Sequence, residues 1–447
     1  MSVLLINPYI VHPFPSPYTP LGVGYLAAYL REHGIEAEVL DLANNRMSLG
    51  ALRAHMERTR PSLVGLSVHY SNLRTSAKIV KIAKKVSPEC VTVMGGSWPS
   101  SIPHRIVEGV PELDACVRHE GEVTLREIVR RMETAGGATR LDWTGIAGVT
   151  YRGPDGRARN NRDRALVPEL DALPSPYLTE GIYDLTRYKV GSLLSARGCH
   201  MKCGFCAARE VFQGELRLSG VDRIVAEARV IYEAGLREFV FFDDTFSIHP
   251  KKSLPLLRAF RDEMPDVALQ SNARFDSVNP ELLAEMKAAG FYILNLGLET
   301  ITKATVKAMA KGVNEQQVEK SHAWIKDAGI KTLINLIVGL PGDDRDAIMR
   351  TFEFAKTLGA NVYTVHVLRP FPNTDLYRNA VHHGLSFATD EGMLLRRADT
   401  EELRYEEMLD LAKYAGDYFE MGDFYNKILM AERIDIFGTH PTRSLMG

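Results

Sequence analysis

Three cysteines in the middle of the chain are the residues whose type and spacing point most directly to chemistry. Cys199, Cys203 and Cys206 form a C-x3-C-x2-C triplet. Thiolates hold iron–sulfur clusters, and a cubane [4Fe–4S] cluster normally takes about four of them. A cluster held by three cysteines leaves one iron open, which can bind a small molecule and pass it an electron. The triplet therefore predicts a redox cluster with one exchangeable site.

Zinc is the alternative metal for a group of cysteines. A structural zinc site usually has a second pair of ligands at matching spacing, and the sequence shows none. The other two of the five cysteines, Cys90 and Cys116, lie in apolar, strand-like stretches. We predict that they are buried thiols and not part of a disulfide framework. A cluster is therefore favoured over zinc.

The composition excludes several classes of function. The 447 residues include 54 basic and 56 acidic ones, so the net charge of −2 gives no overall attraction to nucleic acid. The N-terminus lacks a signal-peptide pattern, and no apolar stretch approaches the length of a membrane span. We therefore expect a cytoplasmic protein that binds no nucleic acid and has no membrane span, a setting that also suits unpaired thiols.

Residues 1–140 alternate short β-rich stretches with helical patterns. In Leu73–Val86, for example, apolar residues recur at roughly helical spacing. This alternation predicts an α/β domain with a flavodoxin-like (Rossmann-type) parallel sheet, whose ligands bind beyond the carboxyl ends of the strands. The predicted strands are Val3–Asn7, Ala37–Asp41, Leu63–Ser67, Val91–Met94 and Ala115–Val117.

The rest of the chain divides into three further parts. Residues 141–190 contain a Gly-Pro-Asp-Gly turn and several prolines, which predict a linker with a hairpin. Residues 191–384 alternate again, and their six βα units predict a partial (β/α)6 barrel with its site at the carboxyl ends of the strands. Residues 385–447 are expected to form a small, mostly helical cap. The predicted barrel strands are Val190–Ser195, Glu238–Phe242, Ala268–Ser271, Tyr292–Leu296, Thr332–Val338 and Val362–Leu368.

Polar side chains follow several of these barrel strands. A lone carboxylate at a strand end is often only a helix cap, but repetition after successive strands predicts a ligand site. Asp243 and Asp244 would accept hydrogen bonds from an ammonium group, and Arg274 would pair with a carboxylate of the ligand. The polar residues are Asp243, Asp244, Asn272, Arg274, Glu299 and Asn335, and Gly339 begins a Gly-Leu-Pro-Gly turn at the end of the fifth predicted strand.

This part of the chain resembles the radical S-adenosylmethionine (SAM) superfamily. The likeness rests on the cysteine triplet, the Gly-x-Glu that ends at Glu299, the Gly-Leu-Pro-Gly turn and the Pro-Phe-Pro segment from Pro370. Asn373 stands where glycine is usual, and asparagine tolerates left-handed backbone. The resemblance implies a [4Fe–4S] cluster whose fourth iron is chelated by SAM. It implies SAM-binding roles for Phe205, Asp243, Asp244, Asn272, Arg274, Glu299, Asn335 and Gly339.

A five-stranded domain before such a barrel resembles the cobalamin-binding radical SAM class. The likeness rests on the Pro-Leu-Gly-x-Gly segment from Pro20, the Gly-Gly-Ser of 95–97 and the Glu-Gly-Glu of 120–122. Cobalamin contacts are then implied for Tyr18, Pro20, Leu21, Gly22, Ser67, Val68, Ser71, Gly95, Gly96, Ser97, Glu120, Gly121 and Glu122.

The cobalt-ligating Asp-x-His-x-x-Gly motif of many cobalamin proteins is absent. Members of the class often lack it, which leaves the lower face of cobalt without a protein nitrogen. Possible substitutes are His12, His69, His104 and His119, although a lone loop histidine is more often a surface residue. A sheet that binds no cofactor is the alternative for this domain.

The resemblance implies a cobalamin-dependent radical SAM methyltransferase. In that class the cluster cleaves SAM to a 5′-deoxyadenosyl radical, which takes hydrogen from an unactivated carbon, and methylcobalamin supplies the methyl group. The expected partners are a small-molecule substrate and an electron donor such as flavodoxin or ferredoxin. The substrate itself is not predicted.

Three other functions remain open. Radical cyclisation, rearrangement or oxidation without net methylation would use the same cofactors. A methylthiotransferase would be expected to carry an N-terminal cysteine triplet for a second cluster, for which Cys90 and Cys116 are too few. A non-catalytic corrinoid or iron–sulfur sensor would usually append a DNA-binding or signalling module, and the C-terminal residues show no basic recognition helix or heptad repeat.

Overall fold

The computed structural model describes residues 1–9, 18–136, 141–387 and 397–421. The chain divides into two compact units. The first unit contains Met1–Leu193 and Glu210–Arg237, and the second contains Leu194–Arg209 and the residues from Glu238 onward. Each unit is built on a sheet whose strands are mainly parallel.

The first unit has a seven-stranded sheet, and the five strands predicted for it are all present. In sequence numbering its strand order is 2-1-3-4-5-6-7, and the first five strands are parallel. This is the flavodoxin-like order at its start, with a switch point between the first and third strands. The strands are β1 (Val3–Asn7), β2 (Ala37–Asp41), β3 (Leu63–Ser67), β4 (Val91–Gly95), β5 (Ala115–Val117), β6 (Val149–Arg152) and β7 (Ala158–Asn160).

The predicted hairpin is present, but it belongs to the sheet and not to a linker. Strand β6 pairs antiparallel with β5 on one side and with β7 on the other. Because β5 would otherwise expose a row of unpaired backbone groups, the hairpin satisfies them and extends the sheet. The sequence showed the turn but not its partner strand.

Helices cover both faces of this sheet. Helix α3 turns its buried face, with Ile79, Val80 and Ala83, toward the core, and α6 ends at Gly136 in the left-handed conformation. The helices of the first unit are α1 (Leu21–Glu32), α2 (Leu49–Thr59), α3 (Leu73–Val86), α4 (Ser97–Ser101), α5 (Pro103–Gly109), α6 (Glu122–Ala135) and α7 (Val221–Glu233). The first strand predicted for the barrel, Val190–Ser195, is present as β8 (Val190–Leu193) and falls in this unit.

The second unit has five parallel strands that pair in chain order. Their helices alternate with them, as the βα pattern predicts. The strands are β9 (Glu238–Phe241), β10 (Ala268–Ala273), β11 (Phe291–Glu299), β12 (Lys331–Val338) and β13 (Val362–Val367). The helices are α8 (Pro250–Glu263), α9 (Pro280–Ala288), α10 (Lys303–Ala308), α11 (Glu315–Asp327), α12 (Arg345–Leu358) and α13 (Asp375–Arg378).

The C-terminal part adds a short strand pair and one helix. Ser386–Phe387 pairs antiparallel with Ala398–Asp399. Helix α14 (Tyr405–Tyr418) packs on β12 and β13 with Tyr405 and Met408 fully buried. Residues 388–396 and 422–447 of the predicted cap lie outside the described residues. Among the described helices, none is both long and apolar enough to cross a bilayer.

Candidate active site

Alternation along the strands of the second unit creates a polar cavity at their carboxyl ends. On β11, Leu294, Leu296 and Leu298 are buried, while Asn295 and Glu299 point the other way, into a cavity of about 340 Å³. The cavity lining includes all three predicted cysteines as well as residues from each of the five strand ends. The polar and charged lining residues are Arg209, Asp244, Thr245, Asn272, Arg274, Asn295, Glu299, Lys311, Asn335 and His366.

The loop that carries the cysteines is anchored by its backbone at Gly204. The Gly204 N–H donates to Met309 O at 2.9 Å, and its carbonyl accepts from Leu376 N at 3.0 Å. These bonds leave the side chains of the three neighbouring cysteines partly exposed toward the cavity.

The environment of the thiols fits a bound cluster. Burial raises the pKa of Cys199, and it raises the pKa of Cys206 to about 11. Thiolates here therefore need a positive partner, which metal coordination supplies. No three His, Cys, Asp or Glu side chains converge on a single-ion site among the described residues. A cluster does not need such convergence, because each cysteine binds a different iron.

The two adjacent aspartates after β9 have different surroundings. Asp243 is 1% exposed, and its carboxylate accepts from Ser195 N at 2.7 Å, from Ala196 N at 3.2 Å and from the Ser195 hydroxyl. Burial nevertheless raises the pKa of Asp243 to about 7. It holds the start of the cysteine loop and is not part of the cavity lining.

Asp244 is the aspartate that lines the cavity. Its carboxyl group accepts no hydrogen bond from any residue that the structure describes, and burial raises the pKa of that group to about 6. An unpartnered carboxyl group in a polar cavity suits a cationic ligand group, since a positive charge would favour its ionised form.

A ladder of side-chain amides crosses the strand ends. Asn272 donates to the backbone carbonyl of Asp243 at 3.0 Å, and Asn295 donates to Asn272 Oδ1 at 2.9 Å. Asn335 in turn donates to Asn295 Oδ1, and the Thr364 hydroxyl donates to Asn335 Oδ1. Every bond runs in the same direction, so each asparagine has a fixed orientation at the cavity wall.

Glu299 is held in an unusual conformation beside Lys311. Its φ is +67°, and the register between β11 and β12 shifts at this position. Glu299 Oε1 lies 3.1 Å from Lys311 Nζ, and the lysine also lies 5.8 Å from the centre of the Phe205 ring. A Cβ on Gly297 would lie 2.2 Å from Glu299 Oε1, so glycine is what leaves room for this ion pair.

Arg274 is already engaged within the protein. Its Nε and Nη2 donate to both carboxylate oxygens of Asp276 at 2.8 and 2.7 Å, and Nη2 also donates to Lys311 O. Nη1 lies 3.5 Å from Cys203 Sγ. The guanidinium group that we expected to pair with a ligand carboxylate is therefore occupied by Asp276. The contact that Arg274 makes with the cysteine triplet is the one to Cys203.

Two residues of the turns, Gly339 and Asn373, have left-handed backbone conformations. Gly339 has a φ of +88°, and a Cβ there would lie 2.3 Å from Met408 Sδ, so this glycine admits helix α14 and is not part of the cavity lining. Asn373 has a φ of +68°, which confirms the left-handed conformation expected for it.

Sequence reasoning missed Asn295, Thr364 and Lys311. Asn295 precedes Glu299 by four residues on one strand and so shares its face, which is a signal that the sequence contains. Lys311 follows a short helix in a turn, and nothing in its spacing indicates a place in the cavity.

In the first unit, Gly22 and Gly95 lie beside the carboxyl ends of the parallel strands, where an added Cβ would meet only ordinary van der Waals contacts. A Cβ on Gly22 would have Ser67 Oγ, at 3.9 Å, as its nearest neighbour, and one on Gly95 would come no closer than 3.6 Å to Val117 O. Ligands of such sheets bind at this point. The Ser67 hydroxyl and the two glycines therefore put small residues at the strand ends where cobalamin is expected.

Gly96 has a purely local reason to be glycine. Its φ is +107°, and a Cβ would lie 2.8 Å from Val68 O. The Val68 amide donates to Gly95 O at 2.7 Å, so the two turns pack backbone to backbone. Ser97 Oγ lies 3.0 Å from His69 Nδ1, and Ser71 is half-buried nearby in sequence.

The Glu-Gly-Glu segment is tied into the first unit itself. Glu120 pairs with Arg217 at 2.8 Å and accepts from Val167 N at 2.8 Å. A Cβ on Gly121 would lie 3.0 Å from Leu26, and Glu122 is buried at the start of α6. These contacts give the segment a structural role in addition to any role toward a ligand.

The remaining predicted cobalamin residues lie around the start of α1. Tyr18 forms a single bridge with Val190, the Pro20 carbonyl accepts from Tyr183 OH at 2.9 Å, and Leu21 is the first helical residue. Of the candidate cobalt ligands, His104 is exposed and His119 Nδ1 lies 3.0 Å from Val211 O. His12 lies outside the described residues.

Comparison with known families and proteins agrees with this geometry. The family model of the B12 binding domain matches residues 9–129, and that of the Radical SAM superfamily matches residues 193–355. An uncharacterized methyltransferase of Pyrococcus horikoshii, PH0819, is 27% identical over 372 residues, which are 82% of this chain and 79% of that protein.

Two further proteins are informative. The anaerobic magnesium-protoporphyrin IX monomethyl ester cyclase of Rubrivivax gelatinosus is 25% identical over 374 residues, covering 81% of this chain and 66% of the cyclase. The radical SAM methyltransferase TsrM of Kitasatospora setae, solved with cobalamin and a [4Fe–4S] cluster, superposes with a TM-score of 0.79 at 19% identity. It covers 93% of this chain and 90% of TsrM, and this likeness shows the fold.

The two domains imply SAM, a [4Fe–4S] cluster and cobalamin as cofactors. The chain therefore combines a B12 binding domain with a radical SAM domain, the two domains that define the cobalamin-dependent radical SAM class it resembles.

Proposed function

We propose that this enzyme is a C-methyltransferase acting on an unactivated carbon of a small molecule. The observation that carries the proposal is the shared cavity, in which three cysteines face polar strand-end side chains. The Pyrococcus horikoshii relative, named a methyltransferase, supports the transfer of a methyl group.

The cysteines would hold the cluster, and the cavity wall would hold SAM. When bound, these cofactors and cobalamin supply electron transfer, radical formation and a methyl group. The protein's own contribution is binding and orientation. Asp244 offers an unpaired carboxyl group for the SAM ammonium, and Lys311 would supply positive charge for its carboxylate. Arg274 is occupied by Asp276 and would act at Cys203 instead.

The asparagine ladder would position the rest of SAM. Asn272 and Asn295 each use one amide N–H in the ladder, which leaves a second donor on each for a ligand at the cavity wall. Because the ladder fixes both amides before binding, their orientation costs little when SAM arrives.

For cobalamin, we propose the strand ends at and beside the switch point of the first unit. Gly22, Ser67 and Gly95 would line the path of the nucleotide tail. Gly96 and Val68 would act indirectly, by setting the shape of the turn beside it.

The test uses SAM that carries a trideuteromethyl group. Anaerobic enzyme with both cofactors and a reductant is incubated with small-molecule extracts, and products are analysed by mass spectrometry. A methyltransferase yields a product with the labelled methyl group together with S-adenosylhomocysteine and 5′-deoxyadenosine. Turnover without label in any product would contradict the proposal.

Cyclisation without methylation is the second candidate. The observation that favours it is the similarity to the Rubrivivax gelatinosus cyclase, which nearly matches that to the methyltransferase in the share of this chain covered. The same experiment separates the two, because cyclisation would give 5′-deoxyadenosine and an unlabelled product.

A further inference from the structure

Two basic segments meet beside the cysteine cavity. Residues 194–209 contain three Lys or Arg residues, residues 300–314 contain three more, and neither segment contains Asp or Glu. The chain as a whole has a net charge of −2. The Gly204–Met309 backbone bond, at 2.9 Å, joins the two segments. Positive charge is therefore concentrated around the cysteine loop against the overall balance of the chain.

Of these six cations, Arg197 is buried, and the other five divide between the cavity and the exposed surface. Arg209 and Lys311 line the cavity, where they are part of the proposed active site. Lys202, Lys303 and Lys307 are exposed instead, and they form no ion pair with any residue that the structure describes. The site itself does not explain these three lysines.

A surface groove of about 440 Å³ lies beside two of the exposed lysines. Its walls are apolar at Ile301, Val306 and Val313, with Lys303 and Lys307 along it and Glu315 as its one carboxylate. An apolar groove next to unpaired positive charge is suited to a partner with acidic residues around an apolar contact.

The groove and the cysteine cavity lie on opposite sides of one stretch of backbone. Ala310 and Gly312 line the groove, whereas Lys311 between them lines the cavity. The alternation arises because Ala310 and Gly312 are both left-handed, with φ of +49° and +76°. A protein seated in the groove would thus be separated from the cavity by this single segment.

We propose that this lysine face, composed of Lys303, Lys307 and the adjoining groove, docks the acidic one-electron donor protein that reduces the cluster. The proposal rests on the proposed function, because the electron needs a cluster at the three cysteines as its destination. One electron leaves the donor and one enters the cluster, and no bond is made or broken.

Proximity and charge both support this location. Electron transfer weakens steeply with distance, so a donor gains most from the surface directly behind the cysteine loop. Asp375, an exposed carboxylate near Gly204, accepts from Asn379 at 2.7 Å and lies 3.2 Å from His383, and it keeps its charge. The groove itself carries two lysines against the one carboxylate of Glu315, so an acidic surface that approaches the groove meets a net positive charge.

The test is the double charge reversal Lys303→Glu with Lys307→Glu, in cluster-loaded protein. Its matched control is Lys78→Glu with Lys85→Glu, two exposed lysines of α3 with the same change in net charge. Stopped-flow absorbance of the cluster measures reduction by reduced flavodoxin and, separately, by dithionite. We expect about a tenfold slower reduction by flavodoxin at low salt for the groove variant alone, shrinking at high salt.

Dithionite is small and needs no docking site, so its rate should be equal in all three proteins. Equal flavodoxin rates in the groove variant and the wild type would overturn the proposal, as would an equal loss in the control variant. Failure of the wild type to bind iron would overturn the proposed function as well, and iron content distinguishes that case.

Discussion

The side-chain amide of Asn295 donates to Asn272 Oδ1 at 2.9 Å, and this bond links the ends of two parallel strands within the cavity of the second unit. Neither residue carries charge, yet together they fix where donors are presented to a ligand. The ladder continues through Asn335 and Thr364, so four strands share one hydrogen-bonded edge. We therefore regard the amides, and not the carboxylates alone, as the frame of the proposed SAM site.

Substitution of Asn295 should weaken SAM binding without affecting cluster binding. Asn295→Ala leaves its partners in the ladder without a donor and an acceptor, at a cost of about 1–3 kcal/mol. We expect SAM affinity, measured by equilibrium dialysis, to fall roughly tenfold with unchanged iron content. Gln270→Ala is the control, since Gln270 also bonds to the neighbouring strand through Glu238 but lies outside the cavity lining. Equal losses in both variants would contradict a role for the ladder.

Removal of one cysteine should abolish cluster assembly. Cys203→Ala leaves two thiolates of the triplet, and we expect iron after anaerobic reconstitution to fall from about four per chain to near zero. Cys90→Ala, at a buried thiol of the first unit, should keep its iron. Retention of iron and of SAM cleavage by Cys203→Ala would refute the cluster assignment.

The lack of a side chain at Gly297 should be required for normal SAM binding. Gly297→Ala places a Cβ 2.2 Å from Glu299 Oε1 and 2.8 Å from Lys311 Nζ, which forces the ion pair apart. We expect SAM affinity to fall about as much as in Glu299→Gln, by roughly tenfold, in the same dialysis measurement. Gly204→Ala meets no atom closer than 3.6 Å and should leave both iron and SAM binding intact. Normal SAM binding by Gly297→Ala would show that the ion pair is dispensable.

Asp243 should make stability depend on pH. Its pKa is about 7 in the folded protein, above the ordinary value of 3.8, so the folded state binds the extra proton. The stabilisation is complete below about pH 4 and is lost as the pH rises through 7, a change of ~2–3 kcal/mol between pH 5 and 8. Asp243→Asn should flatten this part of the profile, measured by urea unfolding of the cofactor-free protein. An unchanged slope would mean that Asp243 does not titrate in this range.

Substitutions of Gly95 and Gly96 should differ in their effects on stability and on cobalamin binding. Gly96→Ala meets Val68 O at 2.8 Å with φ of +107°, so it should lower the melting temperature as well as cobalamin uptake. Gly95→Val has room at Cβ, and we expect it to reduce cobalamin binding about tenfold or more while the melting temperature changes little. Normal cobalt loading by Gly95→Val would remove this turn from the proposed binding path.

The features best predicted from the sequence are those that depend on residue type and on the spacing of apolar residues. The strands of both sheets were predictable because short apolar runs recur between helical patterns, and Glu299 because it ends such a run. The roles of Asp243 and Asp244 were not separable, since loop geometry after β9 decides which carboxyl group faces the cavity. Lys311 was not predictable because two left-handed residues in the turn around it direct its side chain inward. The hairpin was visible as a turn, but its pairing with β5 is a long-range contact.

The most direct test of the account is the metal content of one preparation. The protein is reconstituted anaerobically with iron, sulfide and hydroxocobalamin, and iron and cobalt are measured per chain. We expect about four irons and about one cobalt in the same chain. Four irons without cobalt would contradict the proposed switch-point site and, with it, the methyltransferase.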